Sequence, residues 1–179
     1  VLNSTETQLK KIDKISEKII FGIIHHKKFQ DKAKKELDKI LNKNIKIVTL
    51  TDSSYPALLK QIHDPPPFLT YLGELDNSAP CISIVGSRRA TSYGLSTSEN
   101  LSYKLAKKGF QIVSGMARGI DSRAHKGALR AQGKTIAVLG SGINNIYPRE
   151  NKYLFQAIAE KGIVFSEFKA DTKPFPSNF

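Results

Sequence analysis

The pattern of alternating strands and helices is clearest in residues 110–140, FQIVSGMARGIDSRAHKGALRAQGKTIAVLG. This stretch opens on a short apolar run, FQIVS, which is typical of a buried strand. A helix is predicted from about Ile120 to Ala131, ending near Gly133, and a second apolar run, TIAVLG, follows it. Two apolar strands joined by one helix form a βαβ unit, so both strands are expected to lie parallel in one sheet.

The same pattern recurs on both sides of this unit. Upstream, the apolar run CISIV precedes a predicted helix from about Tyr93 to Lys108. Downstream, a helix that starts at Pro148 and ends at Gly162 leads into a fourth strand, GIVFSE. Apolar strands that alternate with helices predict an α/β fold, a Rossmann-like parallel sheet with helices on both faces.

The N-terminal part has a different pattern. Residues 1–44 are rich in lysine and carry isoleucines at helical spacing, which predicts a small helical N-terminal domain. Residues 45–179 are predicted to form an extended Rossmann-like domain, in which residues 45–75 add two short strands as a bridge packed on the main sheet. Because the chain stops after the fourth strand of the repeating pattern, we expect this domain to be C-terminally incomplete.

The charge points to an anionic partner. The 179 residues include 28 Lys and Arg against 16 Asp and Glu, a net charge of +12, which favours nucleic acid or a membrane surface. No apolar run is long enough to span a bilayer, and the start lacks a signal-peptide pattern. We therefore expect a cytoplasmic protein with no membrane partner.

Ligands of open parallel sheets bind beyond the carboxyl ends of the strands, where this sequence is rich in glycine and arginine. We expect the amides of Gly86 and Ser87 to contact phosphates, because glycine lets the backbone approach a ligand closely. Arginines on the same rim offer planar, bidentate contacts. The predicted phosphate-binding residues are Gly86, Ser87, Arg88, Arg89, Gly115, Arg118, Gly140, Gly142, Arg149 and Lys173.

The spacing of these residues disfavours a single nucleotide. Neither G-x-G-x-x-G with a following acid nor the Walker A pattern is present, so NAD and ATP both lose support and no cofactor is predicted. A polyanion explains arginines on several separate loops better. Phe175 or Phe179 could offer a stacking surface for a base, with core packing as the alternative.

The helix of the central unit carries further candidates. Asp121 and His125 lie four residues apart, but no G-x-S-x-G turn accompanies them, so we predict no catalytic residues. We expect Asp121 to cap its helix and His125 to order loops through hydrogen bonds. The four histidines, one cysteine and scattered acids lack metal-ligand spacing, so no metal site is predicted. The same helix also has a basic face, formed by Arg123, Lys126 and Arg130. This face either contacts nucleic acid or is only solvated.

Four stretches together resemble the DNA-processing protein A family, also called DprA or Smf: TDSSYPALLKQIHDPPPFLTYLGEL, ISIVGSRRATSYG, SG-x-A-x-GID-x-x-AH-x-x-AL and Y-P-R-E-N. The resemblance runs from about residue 46 to the end. It implies a protein of natural transformation and DNA uptake that binds single-stranded DNA, protects it and helps load a RecA-type recombinase, without catalysis. It also implies DNA contacts at Arg88, Arg89 and Arg149, and a homodimer formed through sequence that is missing here.

Two other functions stay open at this point. The first is a nucleotide-binding enzyme of the phosphoribohydrolase, cytokinin-activating type, which shares the Rossmann-like architecture; its P-G-G-x-G-T-x-x-E stretch is absent from this sequence. The second is a protein-binding scaffold whose positive charge is incidental. Binding of single-stranded DNA at low salt would separate the DNA-binding hypothesis from both.

Overall fold

A computed structural model of the chain describes residues 3–178, and the chain divides into two compact units between Lys39 and Ile40. The first unit is helical, as the lysine-rich pattern predicts. Thr5 and Gln8 form a reciprocal capping box at the first helix, and the Ser16 hydroxyl accepts a hydrogen bond at the start of the second. The helices of this part of the chain are α1 (Glu6–Leu9), α2 (Glu17–Ile24) and α3 (Lys27–Leu41).

The second unit is built on one six-stranded mixed sheet. The strands are β1 (Lys46–Thr49), β2 (Phe68–Gly73), β3 (Cys81–Ser83), β4 (Gln111–Ser114), β5 (Thr135–Leu139) and β6 (Ile163–Ser166). Their order across the sheet is β1-β2-β6-β5-β4-β3. The helices between the last four strands are α4 (Ser92–Lys107), α5 (Ile120–Arg130) and α6 (Lys152–Lys161). Three short 3₁₀ helices cover Leu59–Gln61, Arg149–Asn151 and Pro176–Asn178.

The predicted α/β fold is confirmed in its parallel part. Strands β3 to β6 are parallel neighbours, in register from Cys81 beside Gln111 to Leu139 beside Ser166. The two upstream strands are present as well, but they extend the same sheet instead of forming a separate bridge. β2 pairs antiparallel with β6, and β1 pairs antiparallel with β2. The sheet is therefore mixed, with an antiparallel edge.

One detail of the prediction is wrong: the α-helices of this unit cover one face of the sheet, not both. α5 packs against both α4 and α6, so the three helices form a single layer. The strand order runs in one direction from β3 to β6, and right-handed crossovers that always step the same way leave their helices on the same side. On the opposite face, Tyr55 and Leu59 pack against Phe165, whereas Val138 is half exposed.

His125 fastens α5 to the sheet. The side chain is fully buried, and its Nδ1 lies 2.7 Å from Oγ1 of Thr135, whose hydroxyl donates in turn to the carbonyl of Ile112. The prediction that His125 orders loops is therefore wrong, because the histidine joins α5 to β4 and β5. Burial lowers the pKa of His125 to about 4, because the interior disfavours the imidazolium.

Because His125 is buried, the free energy of unfolding depends on pH. An unfolded histidine protonates near pH 6.5, and His125 in the folded chain protonates only near pH 4, so protons favour the unfolded chain between these values. We expect His125 to remove about 2–3 kcal/mol of unfolding free energy between about pH 7 and pH 4.5. Urea titrations of the chain and of His125→Gln would measure this, the variant losing less stability on acidification. His63→Gln, at an exposed position, should behave like the unsubstituted chain. Equal acid sensitivity in His125→Gln would contradict the prediction.

Within residues 3–178, no helix has both the length and the apolar character needed to cross a membrane.

Candidate nucleic-acid interface

The carboxyl ends of the four parallel strands lie along one edge of the sheet, and the loops that follow them carry the predicted residues. The loop after β3 and the loop after β4 meet at Ser87, whose carbonyl accepts a hydrogen bond from the amide of Ile120. Gly119 has a positive φ of 78°, and a Cβ at that position would lie 2.2 Å from the Ser87 carbonyl oxygen. A glycine is therefore required for the two loops to come this close.

Three of the predicted arginines line one cavity of about 290 Å³, which we call the arginine cavity. Arg88 and Arg89 come from the loop after β3, and Arg118 comes from the loop after β4. The rest of the lining is Ala117, Tyr147 and Pro148. The hydroxyl of Ser87 accepts a hydrogen bond from the amide of Arg89, which fixes the turn that presents both neighbouring arginines. The structure thus brings together positive side chains that are about thirty positions apart in the chain.

Arg118 already has an acidic partner. Its Nε and Nη2 atoms donate to the two carboxylate oxygens of Glu150, each at 2.9 Å. This bidentate pair raises the pKa of Arg118 and lowers the pKa of Glu150. Both side chains are more than half exposed, so the pair holds the guanidinium in place while adding little stability.

The basic surface continues from the arginine cavity along α5. A neighbouring depression of about 280 Å³ is lined by the same three arginines and by Arg123 and Lys126. Arg123 and Arg130 both bind the carboxylate of Glu99 on α4, at 2.9 and 2.8 Å. Two of the three basic residues predicted on this face therefore join α4 to α5, and Lys126 is exposed to solvent.

A larger opening, which we call the strand-end crevice, lies beside the arginine cavity and has a volume of about 450 Å³. Its walls include residues from the loops after all four parallel strands, among them Gly86, Gly115, Gly140 and Glu167. Arg88 lines both the crevice and the arginine cavity. This is the position at which open α/β sheets bind their ligands.

The crevice contains a buried carboxylate. Asp121 is 6% exposed; its Oδ1 accepts a hydrogen bond from the amide of Gly86 at 3.3 Å, and its Oδ2 accepts one from the amide of Gly115 at 3.1 Å. Asp121 therefore does not cap α5 as predicted, because its side chain turns to the strand ends instead. The amide of Gly86, which was expected to face a phosphate, is bonded to a side chain of the protein.

The other predicted residues lie apart from the arginine cavity. The amide of Gly142 donates to the carbonyl of Thr172 at 2.8 Å, and a Cβ on Gly142 would lie 2.1 Å from the Lys169 carbonyl oxygen. This glycine serves the packing of the C-terminal segment, so its amide is directed away from a ligand. Lys173 is exposed in that segment, and the side chain of Asn178 anchors the segment to the Gly140 carbonyl.

The structure describes one of the two aromatic residues predicted to stack on a base. Phe175 is 55% exposed, which excludes the alternative that it packs in the core. Phe179 lies outside the described residues. The aromatic side chain that does line the arginine cavity is Tyr147, which is 40% exposed.

Sequence reasoning missed Tyr147, although a signal was present. The residue belongs to the Y-P-R-E-N stretch, in which the predicted DNA contact is the basic residue Arg149. An aromatic residue in a loop beyond a strand is a candidate for stacking on a base. Arg149 lies two positions further along, exposed on the short 3₁₀ helix Arg149–Asn151.

Comparison with known proteins identifies relatives of this chain. Residues 46–179 match the family model described as DNA recombination-mediator protein A. Protein Smf of Synechocystis is 45% identical over 148 residues, covering 80% of this chain and 37% of the relative. DNA processing protein DprA of Bacillus subtilis is 36% identical over 148 residues, covering 82% of this chain and 50% of the relative. The chain thus spans half or less of the length of these two relatives.

Two solved structures share the fold. The X-ray structure of DNA processing protein A from Streptococcus pneumoniae superposes with a TM-score of 0.84 and 31% identity, covering 98% of this chain and 60% of that one. DNA processing protein A from Helicobacter pylori, whose structure is reported for its single-stranded DNA binding mode, superposes with a TM-score of 0.66 and 32% identity. The second superposition covers 75% of this chain and 61% of that one.

Proposed function

The chain belongs to the DNA recombination-mediator protein A family, and we propose that it binds single-stranded DNA through the arginine cavity. In this proposal it acts in the cytoplasm during natural transformation and DNA uptake, protects the incoming strand and helps load a RecA-type recombinase on it. Homodimerisation belongs to the same proposal. The observation that carries the DNA-binding part is the meeting of Arg88, Arg89 and Arg118 beside an aromatic ring.

Each part of the cavity suits one part of a DNA strand. Guanidinium groups bind phosphate oxygens through parallel hydrogen bonds, and the three arginines come from two separate loops. Adjacent phosphates of one strand can therefore each meet a different arginine. Arg149 and Lys173, both exposed, would extend the phosphate contacts beyond the cavity. The backbones of the predicted glycines would shape the surface without donating to the DNA at Gly86, Gly115 or Gly142.

Tyr147 would supply the stacking surface. A single strand exposes its bases, and stacking of a base on an aromatic ring contributes about 1–3 kcal/mol. The same ring offers little to a duplex, whose bases are already stacked on one another. A basic cavity with a partly exposed tyrosine thus favours single-stranded over double-stranded DNA. Phe175, exposed further along the chain, is a second candidate for this role.

An enzymatic role has less support. A nucleotide-hydrolysing enzyme with this architecture would need the strand-end amides to hold the substrate phosphate. Here the amides of Gly86 and Gly115 both bind the carboxylate of Asp121. We therefore propose a binding function without catalysis, which agrees with the DNA-processing name of the Bacillus subtilis relative.

The proposal is tested by binding of a labelled thymine oligonucleotide and of a duplex of equal length to the full chain. We expect the single strand to bind at least about tenfold more tightly, as one stacked base would add about 1.4 kcal/mol. The logarithm of the affinity should fall by about 0.7 per neutralised phosphate for each unit of log salt. Absence of binding at low salt would favour the scaffold function, and release of free base from a nucleoside monophosphate would favour the enzyme.

A further inference from the structure

The strand-end crevice has the form of a nucleotide site. It lies beyond the carboxyl ends of parallel strands and has glycine backbone on its walls, and α5 begins beside it. In open α/β folds, free amides at such a position bind the phosphate of a nucleotide. Here two amides from two different loops converge, but both point at Asp121 Oδ1 and Oδ2.

We propose that the Asp121 carboxylate excludes the phosphate of a free nucleoside monophosphate from the strand-end crevice, and so confines nucleic-acid binding to the arginine cavity. Asp121 is thus a specificity-determining residue that favours a polymer over its monomers. The inference rests on the proposed function for the identity of the ligand that does bind, whereas the exclusion itself rests on the geometry of the crevice.

Hydrogen bonds to Asp121 already occupy the two amides that a phosphate would need. A carboxylate has the same charge sign and the same acceptor character as a phosphate, and this one is almost fully buried between its two donors. A nucleotide phosphate could bind the two amides only by displacing the carboxylate. That exchange would leave a buried charge without donors and beside a second anion, which is strongly unfavourable.

The two openings also differ in the charge of their lining residues. The charged side chains that line the strand-end crevice are Arg88, Asp121 and Glu167, so the two acids outnumber the one base. The charged residues that line the arginine cavity are three arginines, and the balance stays positive when Glu150, the partner of Arg118, is counted against them. The two openings share Arg88 but have opposite charge balance, so an anion is directed to the arginine cavity.

Two strand-end glycines pack closely against the first turn of α5. A Cβ on Gly115 would lie 2.9 Å from Asp121 Oδ2, so the glycine is required for the carboxylate to reach its donors. A Cβ on Gly86 would lie 2.9 Å from the side chain of Ile120, the residue that precedes Asp121 in α5. Gly86 and Gly115, which the sequence predicts to contact a ligand, therefore leave room for the first turn of α5.

The experiment is a titration of the full chain and of Asp121→Ala with dAMP, followed through the amide signals of Gly86 and Gly115 in a nitrogen–proton NMR spectrum. We expect both signals to stay in place in the unsubstituted chain and to shift in the variant, with dAMP affinity rising at least about tenfold as the two donors become free. Glu160→Ala, which removes one negative charge at an exposed position of α6, should leave dAMP binding unchanged.

The inference is overturned if folded Asp121→Ala binds dAMP no better than the unsubstituted chain does. If that variant does not fold, Asp121→Asn removes the charge at nearly constant shape and takes its place in the same titration. A thymine oligonucleotide added to the unsubstituted chain gives an independent test: shifts at Tyr147 with the Gly86 and Gly115 amides still protected from hydrogen exchange by Asp121 support the exclusion, and loss of that protection at both glycines refutes it. Failure of the oligonucleotide to bind at all would refute the proposed function, while the dAMP titration would still decide the role of Asp121.

Discussion

Replacing Arg88 and Arg89 together with alanine is expected to weaken binding of single-stranded DNA by about 100-fold. Each guanidinium would lose a charge-assisted contact to a phosphate, and two such contacts at about 1.5 kcal/mol each give about 3 kcal/mol. The salt dependence should change as well, because two fewer phosphates are neutralised and the slope of log affinity against log salt falls by about 1.4. Fluorescence anisotropy at several salt concentrations measures both effects.

The matched control is the double variant Lys107→Ala, Lys108→Ala. It removes the same two charges at the C-terminal end of α4, which lies at the opposite edge of the sheet from the strand-end loops. We expect a much smaller loss of affinity, since distant exposed charges are screened by salt. If both double variants bind equally well, net charge rather than the arginine cavity governs binding.

Replacing Gly127 with alanine is expected to lower the free energy of unfolding by about 3 kcal/mol, as overpacking of a close contact does. Gly127 lies in α5 where this helix packs against α4. A Cβ at this position would lie 2.2 Å from the backbone oxygen of Glu99 and 2.9 Å from Cβ of the buried Ser102. The backbone of α4 would have to move away. The ion pairs from Arg123 and Arg130 to Glu99 connect the same two helices and would be disturbed as well.

Gly94→Ala is the matched control for this substitution. Gly94 lies in the first turn of α4, and a Cβ there would have its nearest neighbour at 3.5 Å, an ordinary contact. Alanine stabilises a helix over glycine by about 0.5–1 kcal/mol, so this variant should be as stable as the unsubstituted chain or slightly more so. Urea denaturation of both variants gives the comparison. Equal stability of Gly127→Ala and Gly94→Ala would show that the two helices are not in close contact.

Local features of the sequence predicted much of the fold. The predicted helix from Ile120 to Ala131 is observed as Ile120–Arg130, and the predicted helix from Tyr93 to Lys108 is observed as Ser92–Lys107. These boundaries depend on caps and periodicity, which involve neighbouring residues. The predicted helix at Pro148 begins instead with the 3₁₀ helix Arg149–Asn151, and α6 follows from Lys152. The family resemblance is confirmed by the match over residues 46–179.

Pairing between distant strands could not be predicted in the same way. Thr70 pairs with Ser166 across nearly one hundred positions, and this pairing makes the sheet mixed. The single helical layer has the same origin, because it depends on the order of the strands in the sheet and not on any one segment. The same reason explains His125, which lies in the predicted helix but has a different role from the predicted one. Its partner Thr135 lies on the next strand, so the contact depends on how the helix packs on the sheet.

Residue type and short-range spacing are enough to predict the α/β class, the positions of most helices and strands, the family, and the cluster of arginines and glycines at the strand ends. Which groups at that edge can still bind a ligand depends on contacts that form only in the folded chain. Asp121 binds the amide of Gly86, and Arg118 binds Glu150, in both cases more than thirty positions away. Hydrogen bonds and ion pairs act over a few ångströms, so donors and acceptors find their partners only after the chain has folded.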